Sequence, residues 1–363
     1  MPVTNQLAHI RKSRAISAAD LAARAGISRQ TVYAIEAGTY VPNTEVTLRL
    51  ARELEVSVEE LFSLPEDSGA VPGSILADLL TTTPPQKGQP VRLGRVGNRH
   101  VGVPVSASPY YLPEADAVIA NRTSVRAFSL EDHSRKHLVL AGCDPATNLL
   151  ARMVERATGV EIIPAAASSK LALNWLKEGK VHIAGSHLED PATGEFNLPY
   201  LKSEFPREHF TVVTFARWEE GLVVAKGNPK HIRAIADLAR STFINREQGS
   251  GARALLDQLL KKSQLPAKKV RGYTRTAHGH LAAAYAIVSG EADCCLATRS
   301  AARTFDLDFI PLHNERYDLI LRKRTLELPA AQAFLDVLQR ASLRRQLEAQ
   351  AGYDTTHTGS RLS

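Results

Sequence analysis

Apolar residues recur at every third or fourth position along residues 7–38, LAHIRKSRAISAADLAARAGISRQTVYAIEAG, the spacing of helices that bury one face. Polar residues punctuate the run. Ser17 precedes AADLAARA, where its hydroxyl can cap exposed amides; Asp20 puts negative charge in the first turn, and Gly26 ends the helix. Ser28 then opens RQTVYAIEA, which stops at Gly38. Two short helices joined by a glycine-containing turn make a helix-turn-helix. Beyond it, Asn43 or Thr44 opens EVTLRLARELEV, and Ser57 opens VEELF.

The pattern changes near residue 65. LPEDSGAVPGS is rich in Pro, Gly, Ser and acids and reads as a linker; TTTPPQKGQP is a second polar break. VRLGRVGNRHVGVPV and DAVIANRTSVRAF have β-type composition around the turn-like Gly97-Asn98, so a small β-rich connector is expected, a spacer between domains. From residue 138 strands alternate with helices: HLVLAG, PATNLLARMVERA, VEIIPAA, SKLALNWLKEG and VHIAGS. After a long loop come HFTVVTFARWEEGLVVAKG, the helix HIRAIADLA, TFIN, GARALLDQLLKK, the strand VRGYT, AHGHLAAAYAIVSG, ADCCLAT, RSAARTF and LDFIPL. Repeated βα units give parallel sheets covered by helices, and their number exceeds what one small sheet needs, so two lobes are expected. The expected boundaries are 1–64 for the helical domain, 65–137 for linker and connector, 138–345 for the α/β domain and 346–363 for a polar tail, disordered over TTHTGSRLS.

Composition narrows the classes. A chain of 363 residues, 44% hydrophobic and 23% charged, is an ordinary globular protein of more than one domain. Its net charge of +7 hints at a polyanionic partner, yet residues 1–64 carry seven Lys/Arg against seven Asp/Glu, so basicity does not identify a nucleic-acid binder. Within that segment Arg11, Lys12, Arg14, Arg24 and Arg29 precede most of the acids, and phosphate contacts are expected on that side. None of the three cysteines, Cys143, Cys294 and Cys295, forms a CxxC pair or has a suitably spaced histidine, so neither a disulfide framework nor a metal site is expected. With no signal-type N-terminus and no run approaching about 18 apolar residues, a cytoplasmic protein without a membrane partner is expected.

The stretch RKSRAISAADLAARAGISRQTVYAIEAGTYVPNTEVTLRLARELEVSVEELF resembles the Xre-type, lambda-repressor-like DNA-binding domains over about residues 5–64. Its most specific parts are SRQTVYAIEAG and the following PNTEVTLRLA stretch. The resemblance implies that the second helix of the motif enters the major groove of a double-stranded DNA operator. Ser28, Arg29, Gln30 and Tyr33 would then face base edges, Arg29 pairing with guanine and Gln30 with adenine, with Thr31 nearer the backbone and Ser17 opening the preceding helix. Ala34 and Ile35 should pack inward and Glu36 make an ion pair within the domain. Two copies on half-sites about 34 Å apart, and hence a homodimer, are implied.

In open α/β sheets ligands bind beyond the carboxyl ends of strands, where helix N-termini offer free amides to an anion. Small polar residues fill four such turns: Gly142-Cys143-Asp144, Ala167-Ser168-Ser169, Gly249-Ser250-Gly251-Ala252-Arg253 and Thr276-Ala277-His278. Residues 138 to about 325 resemble the periplasmic-binding-protein-like domain that is fused to helix-turn-helix domains and related to molybdate-binding proteins. AGCDPA, SSKLAL, KVHIAGSHL, NLPY, WEEGLVVAKGNP, FINREQGSGAR, GHLAAAYAIVSGEAD and LDFIPLHNERYDL carry the likeness. It implies a two-lobed type II architecture, crossover strands near 211–224 and 300–312, and a ligand shell of Cys143 and Asp144 with their turn, Ser168, Ser169, Arg246 or Arg253, Ser250, Gly251, Thr276, His280 and Tyr317. Other readings stay open: GSGAR as a tight turn, Arg246 and Arg253 as ion-pair partners, Asp144 as a helix cap, Cys143 as apolar packing or an oxidant sensor, and Trp218 as hinge packing.

No nucleophile with an adjacent base, carboxylate pair or metal cluster stands at recognisable spacing, so catalysis is not expected. The expectation is a one-component transcriptional regulator that senses a small oxyanion of the molybdate or tungstate class and needs no cofactor. The alternatives are the same DNA-binding role with an organic effector or redox sensing at Cys143, and a scaffold with a degenerate cleft.

Overall fold

In a computed structural model the described residues are 4–14, 16–63, 74–105, 112–128, 136–206 and 209–362. They fall into two compact units, residues 1–72 and 73–363.

The first unit is helical: α1 Leu7–Ser13, α2 Ala18–Ala25, α3 Arg29–Glu36, α4 Thr44–Glu53 and the single turn α5 Val58–Leu61, tied at its ends by β1 Thr4–Asn5 pairing with β2 Phe62–Ser63. The caps fall where the sequence puts them. Ser17, Ser28 and Asn43 accept the amides of Asp20, Thr31 and Val46. Leu7, Leu21, Val32, Ile35, Leu50, Leu54 and Leu61 close a core with no exposed surface, each contributing about 1.5–3 kcal/mol of burial. Across this core Arg11 donates to both oxygens of Glu36, at 2.6 and 3.1 Å, the ion pair expected for Glu36. That pairing removes Arg11 from the phosphate-facing set, and Arg14 is turned to Glu55 at 3.4 Å.

The second unit begins with a six-stranded sheet: β3 Ser74–Leu76, β4 Asp78–Leu79, β5 Pro90–Val96, β6 Arg99–Pro104, β7 Ala117–Asn121 and β8 Ser124–Ala127, in the order β3-β8-β7-β5-β6-β4. This connector is no free spacer. Val96, Val101 and Val103 share a buried cluster with Val139, Ile163 and Leu173 of the α/β part, and Arg92 bonds Asp116 and Glu161.

The α/β part runs β9 His137–Gly142, α6 Thr147–Thr158, β10 Glu161–Ala166, α7 Ser169–Lys177, β11 Ile183–Ser186, α8 Leu198–Glu204 and the long β12 Phe210–Val224. A second lobe follows with β13 Phe243–Arg246, α9 Gly251–Lys262, β14 Thr276–Ala277, α10 His280–Val288, β15 Cys294–Thr298 and α11 Arg299–Thr304. The chain returns through β16 Asp308–Arg322, α12 Pro329–Leu338, α13 Ala341–Gln346 and β17 Arg361–Leu362. One nine-stranded sheet, β10-β9-β11-β16-β12-β15-β13-β14 with β17 on β12, spans both lobes. The antiparallel pair β12 and β16 crosses between them, with irregularities at Thr214/Ala216 and Glu220/Gly221.

Four details depart from the sequence reading. The second crossover is β16, later than the expected 300–312, because Thr298 caps a helix over 299–304. VRGYT is not a strand: Tyr273 and Arg275 turn back onto the carbonyls of Val270 and Gly272, and only Thr276 and Ala277 pair with β13. HIRAIADLA narrows to a 3-10 turn at Ile235–Arg240. The tail is ordered through residue 362: Tyr353 is buried, Thr358 donates to the carbonyl of Phe215 at 2.6 Å, and β17 pairs with β12. Among the described residues no helix is long and apolar enough to cross a membrane.

His182, just before β11, is buried and accepts the Val139 amide on Nδ1 at 3.0 Å. Burial, with neighbouring His137, pushes its pKa down to about 4. The unfolded imidazole takes its proton near pH 6.5, so the unfolded state binds the extra proton first on acidification. Stability present above about pH 6.5 should be lost as pH falls toward about 4, with a slope of at most about 1.4 kcal/mol per pH unit. Urea unfolding of His182→Gln between pH 7.5 and 4.5 should show a shallower acid slope than the parent; equal slopes would remove His182 as the cause.

Candidate functional site

The α/β lobes face one another through the turns expected to hold a ligand. Those turns divide into two kinds. The N-termini of α6 and α10 line a cavity of about 660 Å³ with Cys143, Asp144, Glu247, His278 and His280 in its wall. Connector residues Thr82, Arg92 and Val103–Val105 complete that wall, a contribution the sequence did not reveal. The N-termini of α7 and α9 instead press on each other, the Lys170 amide donating to the Gly249 carbonyl at 3.3 Å.

In that second contact the serines are engaged. Ser168 caps α7, Ser169 accepts the His187 amide at 3.3 Å, and Ser250 caps α9 while donating to the Glu247 carbonyl at 2.9 Å. Gly251 lies so close to the His187 ring that a Cβ there would come within 2.5 Å of it. Arg246 is wholly buried; its Nε and Nη2 bond Glu247, and Nη1 has no hydrogen-bond partner among the described residues. Arg253 turns the other way, lying 4.3 Å from the Tyr273 ring centre and donating to the Arg246 carbonyl. Thr276 is exposed on its short strand. Tyr317 is buried in the core behind the Cys143 turn, its hydroxyl accepting the Cys143 amide at 3.3 Å.

Asp144 turns back to accept the Ala146 amide at 2.5 Å and the Tyr353 hydroxyl at 3.1 Å; the first bond lies within the turn before α6, whose N-cap is Ala146 with no side-chain cap. Burial pushes its pKa up to about 7, against the opposing effect of those bonds.

Residues absent from the expected shell occupy its centre. His187 sits between Cys143, whose Sγ lies 3.4 Å from Nε2, and Glu315, 2.5 Å from Nδ1. Glu315 also accepts the Trp218 indole N–H at 3.3 Å, so Trp218 is more than hinge packing. His280 Nδ1 lies 3.5 Å from Glu220, both side chains fully buried. Sequence spacing does not reveal this pair, because 44 residues of chain separate Cys143 from His187 and only the sheet brings them together. A usable signal was present: Glu220 is an acid just before the apolar strand run GLVV, and His187 follows the carboxyl end of a strand.

In the helical unit α3 presents Arg29, Gln30 and Tyr33 on its exposed face, while Val32 and Ile35 point inward and Ala34 is half-buried. Arg29 lies along the helix and donates to the Tyr33 hydroxyl at 2.9 Å. The Thr31 hydroxyl is 2.8 Å from that of Ser28, and Ser17 is bonded to Asp20.

Residues 151–339 match the family of the PBP superfamily domain. The chain belongs to the PBP superfamily. Residues 7–61 match a helix-turn-helix family, so a helix-turn-helix is fused ahead of the PBP domain. The uncharacterized protein YvgK of Bacillus subtilis is 34% identical over 231 residues, 63% of this chain and 74% of that protein. An uncharacterized HTH-type transcriptional regulator of Methanocaldococcus jannaschii is 35% identical over 63 residues, 17% of this chain and 96% of its own length. Among solved structures, the sulfate-binding protein SubI from Mycobacterium tuberculosis overlaps 60% of this chain and 86% of its own at 16% identity and a TM-score of 0.45.

Proposed function

We propose that this chain is a cytoplasmic transcriptional regulator whose PBP domain senses a small oxyanion of the molybdate or tungstate class. The helix-turn-helix binds operator DNA as a homodimer through Ser28, Arg29, Gln30 and Tyr33. Two good DNA-reading side chains, Arg29 and Gln30, stand exposed at the start of α3, whose first turn is capped by Ser28. The observation that carries the effector half is Arg246, a wholly buried guanidinium with Nη1 unmatched among the described residues. A bound anion would satisfy that donor, assisted by the amides at the start of α6 and α10. Closing the lobes on it needs only about 1–3 kcal/mol of differential binding to change operator affinity 5- to 150-fold.

The test begins with selection of duplexes from a random DNA pool by the purified full chain, followed by anisotropy titration of the winners. Arg29→Ala should weaken the selected duplex by about 1–3 kcal/mol and relax the sequence preference at one base pair. Molybdate or tungstate should shift the parent's affinity and leave Arg246→Ala unmoved. Failure to enrich any sequence would overturn the DNA-binding half; enrichment with no response to molybdate, tungstate, sulfate or phosphate would overturn the oxyanion half alone.

A further inference from the structure

The geometry points to a site for a divalent transition metal of the zinc class, held by Cys143, His187 and His280 at the junction of the two lobes. The donor atoms of these residues all lie within 4.8 Å of one another. A contraction of about 1 Å would bring them to the spacing of ligands around a four-coordinate ion. One thiolate and two imidazoles suit zinc or its neighbours and disfavour magnesium or calcium, which take oxygen.

Two further observations point to a cation. The first is that neither ring nitrogen of His280 has a hydrogen-bond partner among the described residues, although its side chain and that of the neighbouring Glu220 are fully buried. Polar atoms left so in a core are destabilising, and an ion bound to His280 would bring its imidazole and the adjacent carboxylate into one neutralised network. The second is that a carboxylate sits on the Nδ1 side of His187, Glu315 at 2.5 Å, while Glu220 stands 3.5 Å from His280 Nδ1 without a hydrogen bond to it. A carboxylate that accepts Nδ1–H fixes the tautomer with the Nε2 lone pair outward and raises its basicity, the usual support of a metal-binding histidine. In His187 that Nε2 is the atom facing Cys143 Sγ. Cys143 and His187 come from the first lobe and His280 from the second, so the ion would tie the lobes together, while Glu220 and Glu315 stand on the crossover strands. Cys143 and His280 also line the cavity, where three protein ligands leave a fourth position for water or another ligand.

The inference does not depend on the anion reading. Metal-depleted full-length chain is titrated with Co(II), followed by optical absorption, and then with Zn(II), followed by thermal unfolding. Stoichiometric Co(II) should give a thiolate-to-cobalt charge-transfer band and the ligand-field bands of a four-coordinate ion, and Zn(II) should displace it and raise Tm. Cys143→Ala should abolish the charge-transfer band. His280→Gln should weaken Co(II) binding while keeping that band. Glu315→Gln, which removes a positioning carboxylate, should keep the band and lower metal affinity 10- to 100-fold. Far-UV circular dichroism and binding of the selected duplex show that each variant is folded, and His280→Gln carries the test if Cys143→Ala is not. Absence of the band in the parent, or its persistence in Cys143→Ala, would overturn the site. A molybdate-induced Tm rise in the metal-depleted chain with no cobalt band supports the oxyanion sensor and sinks the metal site; the reverse pattern sinks the oxyanion.

Discussion

Gly185→Ala should destabilise the PBP domain by about 3 kcal/mol or more, at or beyond the upper end of ordinary overpacking. A Cβ at this position would lie 1.9 Å from the Tyr317 hydroxyl and 2.5 Å from the ring carbon that bears it. The ring has no room to retreat. Its centre is 4.8 Å from that of Trp218, 6.2 Å from Phe215 and 5.9 Å from His187, and Tyr317 is 1% exposed. Either β11 shifts against β16, disturbing the pairing of Gly185 with Leu319, or the tyrosine leaves the core. Denaturant unfolding of Gly185→Ala, Tyr317→Leu and the double variant separates this cause from loss of glycine flexibility. If the collision is responsible, the double variant should be more stable than the sum of the single effects by more than about 1 kcal/mol. Additive effects would show that the methyl group is accommodated elsewhere.

Tyr353→Ala should cost about 3–5 kcal/mol, the range of large aromatic truncations in a core. The side chain is 3% exposed, lies with its ring centre 5.4 Å from that of Trp218 at a tilt of 45°, and donates to Asp144, whose other oxygen has no partner among the described residues. Removal opens a cavity and leaves a buried carboxyl with one fewer donor. Tyr353→Phe keeps the ring and removes only the hydroxyl, so it should cost about 1–3 kcal/mol. Calorimetry on both variants checks the ranking; a silent Tyr353→Ala would mean that the segment beyond α13 docks without contributing stability.

The helical unit was legible almost residue by residue because its rules are local. Ser17, Ser28 and Asn43 are capping types followed by periodic apolar residues, and such signals need no knowledge of distant chain. The βα alternation was legible for the same reason. What escaped notice depends on contacts between remote segments. TTHTGSRLS is polar by composition, yet Thr358 and the backbone of Gly359 find partners on β12, so its order comes from a strand edge that no local pattern announces. The connector reads as a spacer because one face of β5 and β6 is apolar whatever it packs on; the partner is β9. In the cleft, the turns were found from glycine and serine, but their division into a cavity wall and an interlobe contact follows from how the lobes close. The Cys143, His187, Glu315 chain joins elements far apart in sequence, and spacing rules for metal ligands do not apply to it.

The connector sheet has a mechanical consequence. Strands whose buried face is continuous with the core of the first lobe also supply part of the cavity wall, and residue 74, where the described chain resumes after the first unit, belongs to that sheet. A slack tether would absorb a displacement of the wall in loop motion. Here the cavity wall at Val103 and the edge strand β3 belong to one sheet of six hydrogen-bonded strands.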